Sequence, residues 1–181
     1  MIFSLGGTDL YAKEKTPFNG ADAAIDISGI KEFSVIKLKK EEGLITFGSN
    51  ICIQQFLEEK VLMENVPILR HAAIYFADQQ IREMATVGGN VANSSPSGDT
   101  IAPLTALEAV IHTITSKDNK ICEKETPITE FITGVGKNLL EKGEVISSIT
   151  CPVFKRIWMC IQESWTETFP VYFNSQFCIP C

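Results

Sequence analysis

The residues whose types and spacing can do chemistry fall in two glycine-rich stretches. The longer covers residues 81–99 and reads IREMATVGGNVANSSPSGD. After Met84 it carries three glycines, two asparagines and a proline, and its only large apolar residues are Ile81, Met84, Val87 and Val91. That composition is unlike an ordinary core helix or strand and predicts a loop. Gly88-Gly89 lets the backbone take positive φ or come close to another group. Thr86, Asn90, Asn93, Ser94, Ser95 and Asp99 add short hydrogen-bonding side chains. Such a loop exposes backbone N–H groups, a common way to hold phosphate. The shorter stretch, Leu5-Gly6-Gly7-Thr8-Asp9, offers the same chemistry near the start. One loop of this kind reads first as a plain turn from strand to helix. Two together point to a ligand with two phosphates or two separate ends, such as a dinucleotide.

These stretches need elements to carry them. Residues 2–5 make a short apolar strand feeding the first loop, with Thr8-Asp9 as the N-cap of a helical turn through Leu10 and Tyr11. Residues 23–27 read as a buried strand closed by Ser28-Gly29. Residues 33–39 and 44–48 form a hairpin about Glu41-Glu42-Gly43. Ile53, Phe56, Leu57 and Val61 stand at helical spacing. Pro67 begins another helix with Ile68, Leu69, Ala72, Ala73 and Phe76 as its apolar stripe. Residues 100–109 are predicted helical, capped by Asp99 or Thr100, with Pro103 in the first turn. Residues 110–115, 121–124 and 144–151 are predicted strands, the first two joined by a turn at 117–120. Residues 127–132 are a short helix and 134–143 a loop.

A length of 181 residues suits one domain, or two small ones sharing a ligand. A hydrophobic content of 45% and a mean hydropathy of +0.10 fit a globular protein with a core. The net charge is −6, and Lys37-Leu38-Lys39-Lys40 is the densest basic run, which argues against nucleic acid as the main partner. No membrane span or signal peptide is legible, so a cytoplasmic protein is expected. Of six cysteines, Cys178 and Cys181 have metal-like spacing, but no second pair accompanies them and His71 and His112 stand apart. No metal site is expected.

Taken in order, these motifs resemble the flavin subunit of the molybdenum hydroxylases. That family includes the medium subunit of aerobic carbon monoxide dehydrogenase and the flavin domain of xanthine dehydrogenase. One family FAD loop is similar to Gly6-Gly7-Thr8-Asp9-Leu10. The other is similar to Gln80-Ile81-Arg82, Ala85-Thr86-Val87-Gly88-Gly89-Asn90, Ala92-Asn93-Ser94-Ser95-Pro96 and Gly98-Asp99. Asp26-Ile27-Ser28-Gly29-Ile30 resembles the family's stretch between the two loops. Phe131-Ile132-Thr133-Gly134, Gly136-Lys137 and Glu144-Val145-Ile146 resemble its stretch beyond the second loop, so the likeness runs from about Phe3 to about Pro152.

The resemblance implies an α+β protein with the FAD-binding fold of the FAD-linked oxidase (PCMH-type) superfamily. A small N-terminal α/β lobe would face a lobe of antiparallel strands and helices, with FAD between them. Residues 1–152 are expected to form the FAD-binding domain. A typical member has a strand and helix before the first loop and a further domain after the position of Pro152. The chain is therefore expected to be truncated at both ends, with 153–181 an irregular tail.

By the same resemblance, Gly6, Gly7 and Thr8 hold the pyrophosphate, with Asp9 capping backbone rather than touching phosphate. Thr86, Gly88, Gly89 and Asn90 hold the ribityl and phosphate region, Asn93 and Asp99 meet FAD from the far side of the loop, and Leu5, Ala85 and Gly98 are further cofactor-binding positions. Asp99 also reads as a helix cap, and Phe76 as a flavin contact or as helix core. Leu140, beside Leu139, stands where a family leucine meets the cofactor. Arg82 pairs with an acid, lines the loop or is solvated. No catalytic acid, base or nucleophile is identifiable; the flavin carries the redox chemistry. In the family, a small molecule is hydroxylated at a molybdenum cofactor, and electrons pass through iron–sulfur clusters to FAD and then to NAD or another acceptor. This chain lacks a cysteine pattern for clusters. A molybdenum-cofactor subunit and an iron–sulfur subunit are therefore expected as partners. The alternatives are a free-standing FAD-dependent oxidoreductase of the same superfamily, or a non-catalytic interaction remnant.

Overall fold

A computed structural model describes residues 2–8, 23–117 and 120–153. The expectations for Asp9, for the helical turn through Tyr11, for the turn centre Asp118-Asn119 and for the tail from Phe154 onward lie outside the described residues.

Strands β1 (Ile2–Ser4) and β2 (Ala24–Asp26) pair in parallel, with Phe3 opposite Ile25. They form the small N-terminal unit. β2 is exposed along its length instead of buried as its apolar run predicts. Burial begins one residue later, at Ile27, whose N–H donates to the Ser4 carbonyl at 3.1 Å. The closing turn is set by Asp26, whose carboxylate accepts from the Ser28 N–H at 2.9 Å and is held below its ordinary pKa by that bond.

The larger unit is a five-stranded antiparallel sheet built from β3 (Ile36–Lys39), β4 (Leu44–Gly48), β5 (Val110–Lys117), β6 (Lys120–Pro127) and β9 (Glu144–Pro152). Its order is β3-β4-β9-β5-β6, so β9 inserts at the centre. Alternation gives the sheet two faces. Ile45, Phe47, Ile111, Thr113, Ile149 and Cys151 point into the core. On the other face Thr150 hydrogen-bonds Thr46 at 2.8 Å and the His112 ring at 2.7 Å, with Glu125 beside His112 at 3.4 Å. A bulge between His112 and Thr113 shifts the pairing with β9. The predicted strand at 33–39 is shorter, because Phe33 is buried within a 3-10 turn (Lys31–Ser34).

Short helices cover the inner face: α1 (Gln55–Glu58), α2 (Lys60–Asn65), α3 (Pro67–Tyr75), α4 (Gln79–Met84), α5 (Val87–Asn93), α6 (Ile101–Ala106) and α7 (Ile128–Phe131). The run at 53–61 is broken into two helices. Ile53, Phe56 and Leu62 are buried while Val61 is exposed. Phe56 meets Phe47 edge-to-face with ring centroids 5.4 Å apart, joining the helices to the sheet. Phe76 caps α3 at its C-terminal end rather than lying within it. The helix predicted at 100–109 ends at Ala106, and Glu108, at φ 50, turns the chain into β5. The predicted loop at 134–143 contains part of a small hairpin, β7 (Ile132–Gly134) and β8 (Lys137–Asn138). Among the described residues, no helix is long and apolar enough to cross a membrane.

Candidate cofactor-binding site

In the first stretch Gly6 and Gly7 both take left-handed backbone, at φ 46 and φ 73, and the Gly7 N–H donates to the Leu5 carbonyl. A side chain is strained in that region, which explains the two glycines. Gly6 has a second reason. A Cβ there would overlap the Met84 carbonyl and sit 3.5 Å from Thr86 Cγ2. The two glycine stretches, distant in sequence, therefore touch backbone to backbone.

The second stretch is the expected loop only at residues 94–99. Before that it forms the end of α4 and all of α5, joined through Ala85 and Thr86. Thr86 is the N-cap of α5, in extended backbone (φ −108, ψ 151), and its Oγ1 accepts from the Gly89 N–H at 3.1 Å. The Val87 and Gly88 N–H groups donate to the carbonyls of Ile51 and Ser49, each at 2.9 Å, and the Asn90 N–H donates to the Thr86 carbonyl at 3.0 Å. These donors are committed within the protein, so the expectation of exposed N–H groups fails at residues 87–90. Neither glycine has positive φ. Tertiary packing overrides their poor helix propensity. A Cβ on Gly88 would collide with the backbone and Cβ of Ser49, so α5 can lie on the chain leaving β4 only with glycine there. At Gly89 a Cβ would meet Thr86 Oγ1 alone, at 3.0 Å. One glycine is a packing contact; its neighbour opens outward.

The remaining predicted residues gather at the other end of α5. Asn90 Oδ1 accepts from the Thr100 hydroxyl at 2.5 Å, and a Cβ on Gly98 would lie 3.1 Å from the same oxygen. Thr100 occupies the N-cap position of α6 without capping it by its side chain. Asn93 is half-buried and Asp99 exposed. Ser94, at φ 49, ends α5. Asn138 joins this end to the loop that carries Leu140, which packs on the core.

Phe76 is buried in the core, as one of its two readings has it. Arg82 follows none of its predicted readings. Its guanidinium donates to Gln54 Oε1 at 2.9 Å and to the carbonyls of Phe76 and Ala77, each at 3.0 Å, bracing Ala77 at φ 34. Ala85 is buried, and its carbonyl accepts from the Ile53 N–H at 2.9 Å.

Three neighbours of the site escape sequence reasoning. Ser49 is fully buried, and among the described residues its hydroxyl has no hydrogen-bond partner. Cys52 forms an isolated bridge with Thr86, and burial holds its thiol above its ordinary pKa, so it stays protonated and a poor nucleophile. Asn138 lies in no glycine motif. The only trace of Ser49 is a run of small residues, Gly48-Ser49-Asn50, leaving a strand. Among the described residues no three His, Cys, Asp or Glu side chains gather as metal ligands; Cys178 and Cys181 lie outside them.

Residues 3–154 match the family described as the FAD binding domain in molybdopterin dehydrogenase. The xanthine dehydrogenase FAD-binding subunit of Escherichia coli O157:H7 is 30% identical over 147 residues, which cover 81% of this chain and 49% of that protein. The nicotinate dehydrogenase FAD-subunit of Eubacterium barkeri is 29% identical over 147 residues, covering 80% and 48%. A structure of carbon monoxide dehydrogenase from Hydrogenophaga pseudoflava, lacking the Mo-pyranopterin moiety of its cofactor, superimposes with a TM-score of 0.73 at 26% identity, covering 84% of this chain and 51% of that one. The chain thus spans about half the length of the curated relatives it matches. With the match running through both glycine stretches and the sheet behind them, the chain belongs to the FAD-binding domain family of the molybdopterin dehydrogenases.

Proposed function

We propose that residues 1–152 hold FAD noncovalently in the groove where the two glycine stretches meet, as the flavin part of a molybdenum hydroxylase-type dehydrogenase. The observation that supports this reading is the close approach of Gly6 to the Met84 carbonyl, which brings the two motifs side by side. The residues present fit the group. Left-handed Gly6 and Gly7 let the backbone come close to a pyrophosphate, and the open α-carbon of Gly89 offers a cradle that a Cβ would fill. Thr8 adds a hydroxyl donor for the pyrophosphate, and Asn90, Asn93 and Asp99 supply polar groups for the ribityl and ribose region, with Leu5, Ala85, Gly98, Phe76 and Leu140 as apolar or close-packed surroundings. Thr86 and Gly88 act by shaping α5, since their polar groups are already bonded there.

The bound flavin supplies electron transfer between iron–sulfur clusters on a partner subunit and NAD or another acceptor. The protein's share is to bind, orient and shield it. No His or Cys lies within either glycine stretch to form an obvious covalent flavin link, which supports a noncovalent site. Purification of the chain alone and together with molybdenum and iron–sulfur subunits tests the reading. Visible flavin absorbance that is released on acid denaturation is expected, with co-purification of both subunits. Absence of FAD from the loaded complex would overturn it.

A further inference from the structure

We propose that Asn138 is a positioning residue for the cofactor: it latches the loop at residues 139–143 to the C-terminal end of α5 and so fixes Leu140, one of the residues proposed to meet FAD. This rests on the proposal that the groove holds FAD.

The Asn138 amide is used on both sides. Its Nδ2 donates to the Ala92 carbonyl at 2.7 Å and to Ser94 Oγ at 2.9 Å, while its Oδ1 accepts from the Leu140 N–H at 3.0 Å. The partners fix the amide's orientation, because a carbonyl needs a donor and an N–H needs an acceptor. Ser94 is itself locked. Its left-handed backbone ends α5, and its hydroxyl donates to the Val91 carbonyl at 2.8 Å, leaving a lone pair for Asn138. The Gly136 N–H adds a bond to the Ser94 carbonyl at 2.9 Å. On its other side the loop is tied to α7, where the Leu139 N–H donates to the Phe131 carbonyl at 3.0 Å. Asn138 thus satisfies a carbonyl at the end of α5 that the helix leaves open, and transmits that end's position to Leu140.

The side chain also explains which substitutions break the latch. Aspartate has the size of asparagine and keeps the acceptor for Leu140, but sets an oxygen against the Ala92 carbonyl. Serine keeps one donor and loses reach.

The test is FAD dissociation, with the visible circular dichroism of the bound flavin, in the full chain. Asn138→Asp is expected to raise the FAD Kd about tenfold, the scale of one lost hydrogen bond, and to change the flavin dichroism. Asn138→Ser is expected to fall between it and the wild type. In a Leu140→Ala background, Asn138→Asp should add less than about twofold, because the two residues act as one unit. A latch that is only structural would lower the melting temperature and leave Kd and dichroism unchanged, which overturns the proposal. Should the aspartate variant fail to fold, the serine variant decides in the same way. A wild-type protein that binds no FAD overturns the FAD reading and this inference together. A wild type that binds, with variants that bind equally, overturns this inference alone.

Discussion

The same dipeptide, Gly-Gly, stands at two places in this site and does different physical work at each. Gly6-Gly7 is left-handed at both residues, a geometry that strains any side chain. Gly88-Gly89 is helical, with ordinary dihedrals. There the absence of a side chain matters for space: Gly88 lies against Ser49, and Gly89 opens outward. The first pair answers to backbone conformation, with Gly6 also close against Met84, and the second answers to space alone. A sequence pattern reports the absence of a Cβ, not the reason for it.

That difference is open to breakage. The largest effect is expected at Gly88. Valine there must displace the Ser49 backbone, and the strand exit Gly48–Ile51 has little freedom, because the Ser49 and Ile51 carbonyls hold the first N–H groups of α5. Gly88→Val should cost about 3 kcal/mol or more, read by urea denaturation, at the high end of overpacking effects. A loss below about 1 kcal/mol would mean that α5 can lift from the sheet without penalty.

Gly6→Ala comes next. It adds left-handed strain of about 1–2 kcal/mol to a clash with the Met84 carbonyl. It should weaken FAD binding by separating the two stretches. A Gly6→Ala variant that loses no more stability than the left-handed strain alone costs, and that binds FAD as the wild type does, would show that the contact between the stretches carries no weight.

The two pairs also mark what could be read from the chain. Partial alternation in residues 33–39 and the turn at Glu41-Glu42-Gly43 exposed the β3–β4 hairpin, while β5 and β9 were legible only as short strands between turns, since β5 buries Thr113 with Ile111 and its apolar and polar residues do not alternate. The central place of β9 was not legible, since nothing local in residues 144–152 says which strands will flank it. Helix α5 was hidden by its own glycines. Local propensity argues against a helix, and only the Ser49 and Ile51 carbonyls, far away in sequence, reverse the balance. The proposed site residues of the motifs were legible as types, while Asn138, Ser49 and Cys52 make contacts that no spacing announces. Arg82 was misread for the same reason: its partners are backbone carbonyls, which every sequence contains and none advertises.

Gly89→Ala separates stability from binding. The residue is helical and its missing Cβ would meet only Thr86 Oγ1, at 3.0 Å. A gain in helix propensity of up to about 1 kcal/mol opposes that tight contact, so stability should change by less than about 1 kcal/mol. FAD affinity should fall at least about tenfold if the cofactor lies over this α-carbon, a loss of about 1.4 kcal/mol in binding. Calorimetric titration beside a denaturation curve distinguishes the two. A variant that binds FAD as the wild type does would make Gly89 a helix residue with no share in the site.

The smallest effect is expected at Thr86, and it tests how the two stretches communicate. Its hydroxyl faces α5 and accepts the Gly89 N–H, while its methyl group lies 3.5 Å from where a Cβ on Gly6 would stand. One side chain thus serves both motifs through different atoms. Thr86→Val keeps the methyl contact and removes the cap, which should cost about 1 kcal/mol of stability. Thr86→Ser keeps the cap and removes the methyl, so stability should fall by less than that while the fit of Gly6 against the second stretch loosens. Hydrogen exchange at the Gly7 and Gly89 amides reads the two effects separately. The valine variant should speed exchange at Gly89 and spare Gly7; the serine variant should do the reverse. If both variants speed exchange at both amides equally, the two stretches open as one unit, and their contact at Gly6 is the joint that makes them so.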